Sequence, residues 1–163
     1  MNVPGQPARR PILVVGVGNI LLHDEGFGPH MIGILAESDL PDSVELLDAG
    51  TSGADLLDPI SDRRKVIFID TVDGSATPGA LVRLTASDLA AAPPQGLSLH
   101  SVGLVETLMM ARQLNGAPDE VIVIAVQPKD LSCGLGLSDE LQDAVVPARD
   151  LVLEELAPQT PSP

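Results

Sequence analysis

The chain has 163 residues, 44% hydrophobic but only 1% aromatic, and 9 Lys and Arg against 23 Asp and Glu leave a formal charge of −14. One domain of that length buries about 70% of its unfolded surface, and with so few aromatic rings its interior must be Val, Leu, Ile and Ala, which suits helices packed on a buried sheet. The charge argues against nucleic acid and anionic membrane surfaces as partners, and the single Cys133 excludes an internal disulfide or a multi-cysteine metal site.

No apolar run reaches the roughly 18 residues of a membrane span, and residues 1–10 hold no apolar signal core, so the expected setting is a reducing cytoplasm. Residues 1–10 and 158–163 are rich in Pro and polar groups and read as flexible tails around a single domain, 11–157.

Residues 12–15 form an apolar, partly β-branched run stopping at Gly16, the pattern of a strand buried on both faces. A glycine loop follows, and from 26 to 40 Phe27, Met31, Ile32 and Leu35 recur at helical spacing, with Pro29 tolerated in the first turn. Residues 44–47 give a second strand, 54–60 a short helix and 65–69 a third strand, again apolar on both faces. After a Gly/Pro turn at 73–79, residues 80–84 read as a fourth strand. It follows too closely for a parallel crossover and should run antiparallel at or near an edge.

Residues 93–98 form a loop and 102–114 a helix, with Val105, Leu108, Met109 and Arg112 at spacings of three and four. Strand five is 121–126, and 139–156 is a last helix in which Pro147 costs one backbone hydrogen bond and should bend the rod. The order predicts an α/β fold, a three-layer α/β/α sandwich on a five-stranded, mostly parallel twisted sheet.

In such sheets ligands lie beyond the carboxyl ends of the strands. The loops there hold Asn19, His23, Asp24 and Glu25 after strand one; Asp48, Thr51 and Ser52 after strand two; and Asp70 and Asp73 after strand three. His100 precedes a helix. Glu25, Asp70 and His100 offer two carboxylates and an imidazole, a donor set suited to a divalent metal with open positions.

Plainer roles stand beside that one. Asp24 or Glu25 can complement a helix start, Asp70 can cap a turn, and a lone histidine such as His100 or His23 is commonly structural. Nothing near Cys133 suggests an activated thiol. Gly16-x-Gly18 with Asp48 begins like a dinucleotide-binding fingerprint, and a noncatalytic nucleotide- or metal-binding module on a Rossmann-like sheet is the alternative reading. It lacks the third glycine, however, and Leu21 and Leu22 stand where backbone should approach a pyrophosphate. No G-x-S-x-G elbow of a serine hydrolase occurs.

Residues 16–28, GVGNILLHDEGFG, closely resemble the G-x-G-N-x-L-x-x-D-[DE]-x-x-G opening of the nickel-iron hydrogenase maturation endopeptidases. The resemblance continues through DAGTSG at 48–53, the strand ending in Asp70, and His100 in LHSVGL, and covers roughly residues 11–157. It implies an aspartyl-type endopeptidase that cuts the C-terminal extension from a hydrogenase large-subunit precursor, once, after a basic residue, when nickel is loaded. It further implies Glu25, Asp70 and His100 as metal ligands. Asp48, Gly50, Thr51 and Gly53 would bind the substrate tail, and Glu25 or Asp48 would act as base. The nickel would arrive with the precursor, leaving the isolated monomer a weak metal binder in which another divalent ion can stand in within a crystal.

Overall fold

A computed structural model describes residues 9–51, 54–74, 76–91 and 99–158, with side chains except at 54 and 99–102. In chain order the elements are β1 (Ile12–Val17), a 3-10 turn (His23–Gly26), α1 (Phe27–Ala36), β2 (Val44–Gly50), a 3-10 turn (Ala54–Leu56), α2 (Leu57–Ile60), β3 (Lys65–Thr71), β4 (Leu81–Thr85), α3 (Ala86–Ala91), α4 (Leu99–Gln113), β5 (Glu120–Val126) and α5 (Asp139–Leu156).

The sheet order is β2-β1-β3-β5-β4. β1, β2, β3 and β5 run parallel, and β4 pairs antiparallel with β5 at the edge, as the short connection behind β3 requires. Alternation along the strands divides the core in two. Ile12, Val14, Ile67, Ile69, Ile122 and Ile124 meet Phe27, Met31 and Leu35 of α1 and Leu141, Ala144 and Val152 of α5. On the other face Leu13, Val15, Val66, Phe68 and Val123 meet Ile60, Leu89, Leu104 and Leu108. Helices on both faces of a sheet buried between them make the three layers.

Several boundaries differ from the expectations in one direction. β1, β2 and β3 extend beyond 15, 47 and 69 to Val17, Gly50 and Thr71, because parallel neighbours pair with Gly16, Asp48 and Asp70 despite their low strand preference. The first helix is shorter than 26–40: a 3-10 turn precedes it and it ends at Ala36. The third long helix starts at Leu99 rather than 102, and α3 was not foreseen. α5 runs unbroken from 139 to 156 through Pro147, whose ring faces solvent.

The end of the sheet where the parallel strands begin is closed by ion pairs. Buried Lys65 holds Glu155 at 2.6 Å and Glu120 at 3.3 Å, and Arg63 holds Glu45 at 2.7 Å. Arg9 and Arg10, assigned above to the tail, are tied down there, Arg9 to the Asp58 carboxylate at 2.8 Å and Arg10 to the Val44 carbonyl at 2.6 Å. Residues 1–8, the loop 93–97 with Ser98, and 159–163 lie outside the described residues.

Candidate active site

The opposite rim carries the acids. Where β1 ends, a β-bulge interrupts its register with β2: Gly16 faces Asp48, and Val17 faces Gly50. Such a kink re-aims a strand's last side chains. The Gly18 N–H donates to the Gly50 carbonyl at 2.8 Å, so the two loops are fastened together.

Glycine lets the next helix reach this rim. A side chain at Gly28 would run into the carbonyl oxygens of Val17 and Ile69, the latter at 2.5 Å. The start of α1 therefore lies directly on the carboxyl ends of β1 and β3, and the 3-10 turn before it is held over the sheet. Gly18 has φ +146°, and a Cβ there would strike the Glu25 carbonyl, so the glycine loop folds under that turn.

Two residues that are remote in sequence come close enough for the charge of one to act on the other. Asp70, at the end of β3, is buried, and one of its oxygens accepts the Thr71 N–H at 2.7 Å. Burial pushes its pKa up to about 7; the Thr71 hydrogen bond opposes the shift and the Glu25 carboxylate reinforces it. Glu25 is half-buried in the turn above.

Asp24, its neighbour, faces elsewhere. It is fully buried and accepts four hydrogen bonds: from the backbone N–H groups of Lys129 (2.8 Å), Asp130 (2.9 Å) and Ser138 (2.7 Å), and from the Ser138 hydroxyl (2.9 Å). Burial alone would raise its pKa, but these donors outweigh it and hold the group below its ordinary value. An acid satisfying orphan amides was one plain reading of this pair. The amides belong to the β5–α5 loop and the start of α5, not to α1.

A cleft of about 260 Å³ opens beside the 3-10 turn, lined by Asp48, His23, His30, Ile20, Pro29 and Leu135 among others. Asp48 is exposed at the end of β2, where one carboxylate oxygen also accepts the Gly50 N–H at 3.0 Å. Gly50 takes φ +51°, and Thr51 beyond it is exposed. His23 docks the β5–α5 loop rather than hanging free: its N–H donates to the Gly134 carbonyl at 2.9 Å, and its Nδ1 lies 3.2 Å from the Gly136 carbonyl. His30 and Leu135 drew no notice in the sequence. Helical spacing puts His30 on the outer face of α1, one turn beyond Gly26, and that was the available signal.

Asp73 lies apart, taken up by the Gln127 amide at 3.1 Å. His100 is the second residue of α4, whose far end feeds into the start of β5, so the topology sets its backbone on the acidic rim; its side chain, like Ser52 and Gly53, lies outside what is described. Among the described residues no three His, Cys, Asp or Glu side chains are grouped to hold a metal. Of the three expected ligands, Glu25 acts electrostatically on Asp70, and the side chain of His100 is not among those described.

The geometry does not favour the dinucleotide reading. The space over Gly18, which a pyrophosphate would need, is filled by the Glu25 carbonyl, and α1 begins only nine residues later, at Phe27.

Comparison with known proteins agrees. The family profile for hydrogenase maturation protease matches residues 29–155. The chain is 35% identical to hydrogenase 2 maturation protease of Escherichia coli over 147 residues, 89% of this chain and 90% of that protein. It is 34% identical to the hydrogenase expression/formation protein HupD of Thiocapsa roseopersicina over 149 residues, 90% and 67% of the two. Among solved structures, the hydrogenase maturating endopeptidase HybD from Escherichia coli aligns with a TM-score of 0.83 at 34% identity, covering 89% of this chain and 91% of that one. The hydrogenase maturation protease HybD from Thermococcus kodakarensis shares the fold, with a TM-score of 0.76 at 24% identity over 90% and 99%. A rim of acids carried by this sheet, a profile match over most of the domain and relatives at this identity together mean that the chain belongs to the hydrogenase maturation protease family.

Proposed function

We propose that this chain is an endopeptidase that removes the C-terminal extension of a NiFe-hydrogenase large-subunit precursor, acting once nickel has been loaded into that precursor. The observation that carries the reading is the buried Asp70 carboxylate at the carboxyl-end rim, with the charge of Glu25 acting on it. A buried acid with a second acid beside it is costly as an anion, and a divalent cation at that point relieves both burial and repulsion. Oxygen donors of this kind suit a borderline ion that keeps thiolate ligands of its own.

In this reading Glu25 and Asp70, with His100 at the start of α4, grip the nickel of the precursor, and the ion serves as a checkpoint for completed loading. A nickel ion held by these residues would supply Lewis-acid chemistry to the scissile carbonyl or to a water beside it. Asp48, with Gly50, Thr51 and the Gly53 that follows in sequence, receives the tail, and Glu25 or Asp48 accepts the proton. The attacking group is water in this account, as in an aspartyl-type peptidase. The protein works as a cytoplasmic monomer; among the described residues no helix is long and apolar enough to cross a membrane.

Removing the protein from cells that make the client hydrogenase tests this. The large subunit should accumulate at its longer, precursor size, and full processing without the protein would refute the proposal.

A further inference from the structure

Among the exposed large apolar side chains, Ile20 and Leu135 line the cleft, and Leu21 follows Ile20 on the same loop. Ile20 is 56% exposed, Leu21 60% and Leu135 72%. They lie on two loops joined by backbone hydrogen bonds, Gly134 N–H to the Leu21 carbonyl and His23 N–H to the Gly134 carbonyl, both 2.9 Å. Asp24 fixes the same loops to each other through its four bonds. This apolar surface is therefore held in place rather than left over from a loose loop, and water-facing apolar surface on a fixed support marks an interaction site. Ile20 and Leu135 line the cleft directly, with Asp48 on the same wall system.

We infer that Ile20, Leu21 and Leu135 form a ledge that receives an apolar side chain from the extended tail of the large-subunit precursor, next to the bond that is cut. The inference rests on the peptidase reading above and adds a determinant of sequence preference to it. Charge narrows the occupant. Asp48 lies in the cleft, Asp130 sits at the foot of the Leu135 loop, and the chain carries −14 overall, so an acidic segment is repelled while a neutral or basic one with an apolar residue is drawn in. Gly26, the last residue of the turn that bears Glu25, also lines the cleft, so a tail seated on the ledge passes that turn.

Surface plasmon resonance with immobilised nickel-loaded precursor and soluble full-length protein reads the ledge directly. Leu135→Ser and Ile20→Ser should each weaken binding about tenfold, the loss expected for one buried aliphatic contact. Both residues face water, so unfolding midpoints should stay where they are. Replacing the apolar tail residue nearest the cut by Ser should weaken binding to the unaltered protein equally and add little to Leu135→Ser. Unchanged affinity in both variants, or no binding by the unaltered protein, overturns the ledge. Cleavage of the same precursor is scored separately: tight, ledge-dependent binding without cleavage would sink the peptidase reading and leave the ledge standing.

Discussion

Asp24 takes both the backbone N–H and the hydroxyl of Ser138, at 2.7 and 2.9 Å, and so fastens the acidic turn of the opening motif to the N-cap of α5 more than a hundred positions away. Adding the amides of Lys129 and Asp130, one side chain sets the position of the whole β5–α5 loop.

Asp24→Ala should therefore be among the most damaging single changes outside the apolar core. It leaves three part-buried N–H groups without their acceptor and should cost on the order of 2–4 kcal/mol in urea unfolding. Because the pKa of Asp24 is lowered in the fold, its contribution is complete above the unfolded value near 3.8 and is lost as pH falls through the folded value. The protein should thus weaken in acid below about pH 4, and Asp24→Asn should flatten that limb.

Asp70 acts in the opposite sense. Its folded pKa of about 7 lies above the unfolded 3.8, so the favourable contribution is complete below about pH 4 and disappears as pH rises through 7. Asp70→Asn keeps an acceptor for the Thr71 N–H and removes the charge. The substitution should raise stability at pH 8 by on the order of 2–4 kcal/mol, change little at pH 4, and abolish processing. Urea midpoints at the two pH values, together with a cleavage assay, check all three outcomes.

The influence of Glu25 on Asp70 is separately measurable. In Glu25→Gln the carboxyl carbon of Asp70, followed by NMR through a pH titration, should titrate below the value of about 7 seen with Glu25 present. An unchanged titration would mean that the two acids do not share a site. The fold should survive, since a half-buried turn residue carries little of the core.

Gly28→Ala tests the close approach of α1 to the rim. A methyl group there collides with backbone carbonyls of β1 and β3 that cannot swing aside. The expected loss is about 2–3 kcal/mol, with processing reduced further because the turn bearing Glu25 is lifted. Thermal unfolding and cleavage rates report the two effects.

Much of this was legible in the sequence. The double-sided apolar runs gave β1, β3 and β5, and the short connection after β3 gave the direction of β4, because burial and chain length leave few alternatives. Glu25 and Asp70 could be named as rim residues from topology alone, but what brings them together is the tight seat of Gly28 on Val17 and Ile69, which no spacing encodes. The partners of Asp24 could not be read either: they are backbone amides 105 to 114 residues away, and backbone amides have no sequence signature. His30 and Leu135 look like ordinary surface residues until the cleft between their elements is seen.

Incubating the purified protein with two preparations of the large-subunit precursor, one nickel-loaded and one nickel-free, and following the C-terminal fragment by mass spectrometry shows whether nickel gates the cut. The account predicts one cut in the nickel-loaded precursor and none in the nickel-free one, with Asp70→Asn silent on both. Equal cleavage of the two preparations, or full activity in Asp70→Asn, would contradict it.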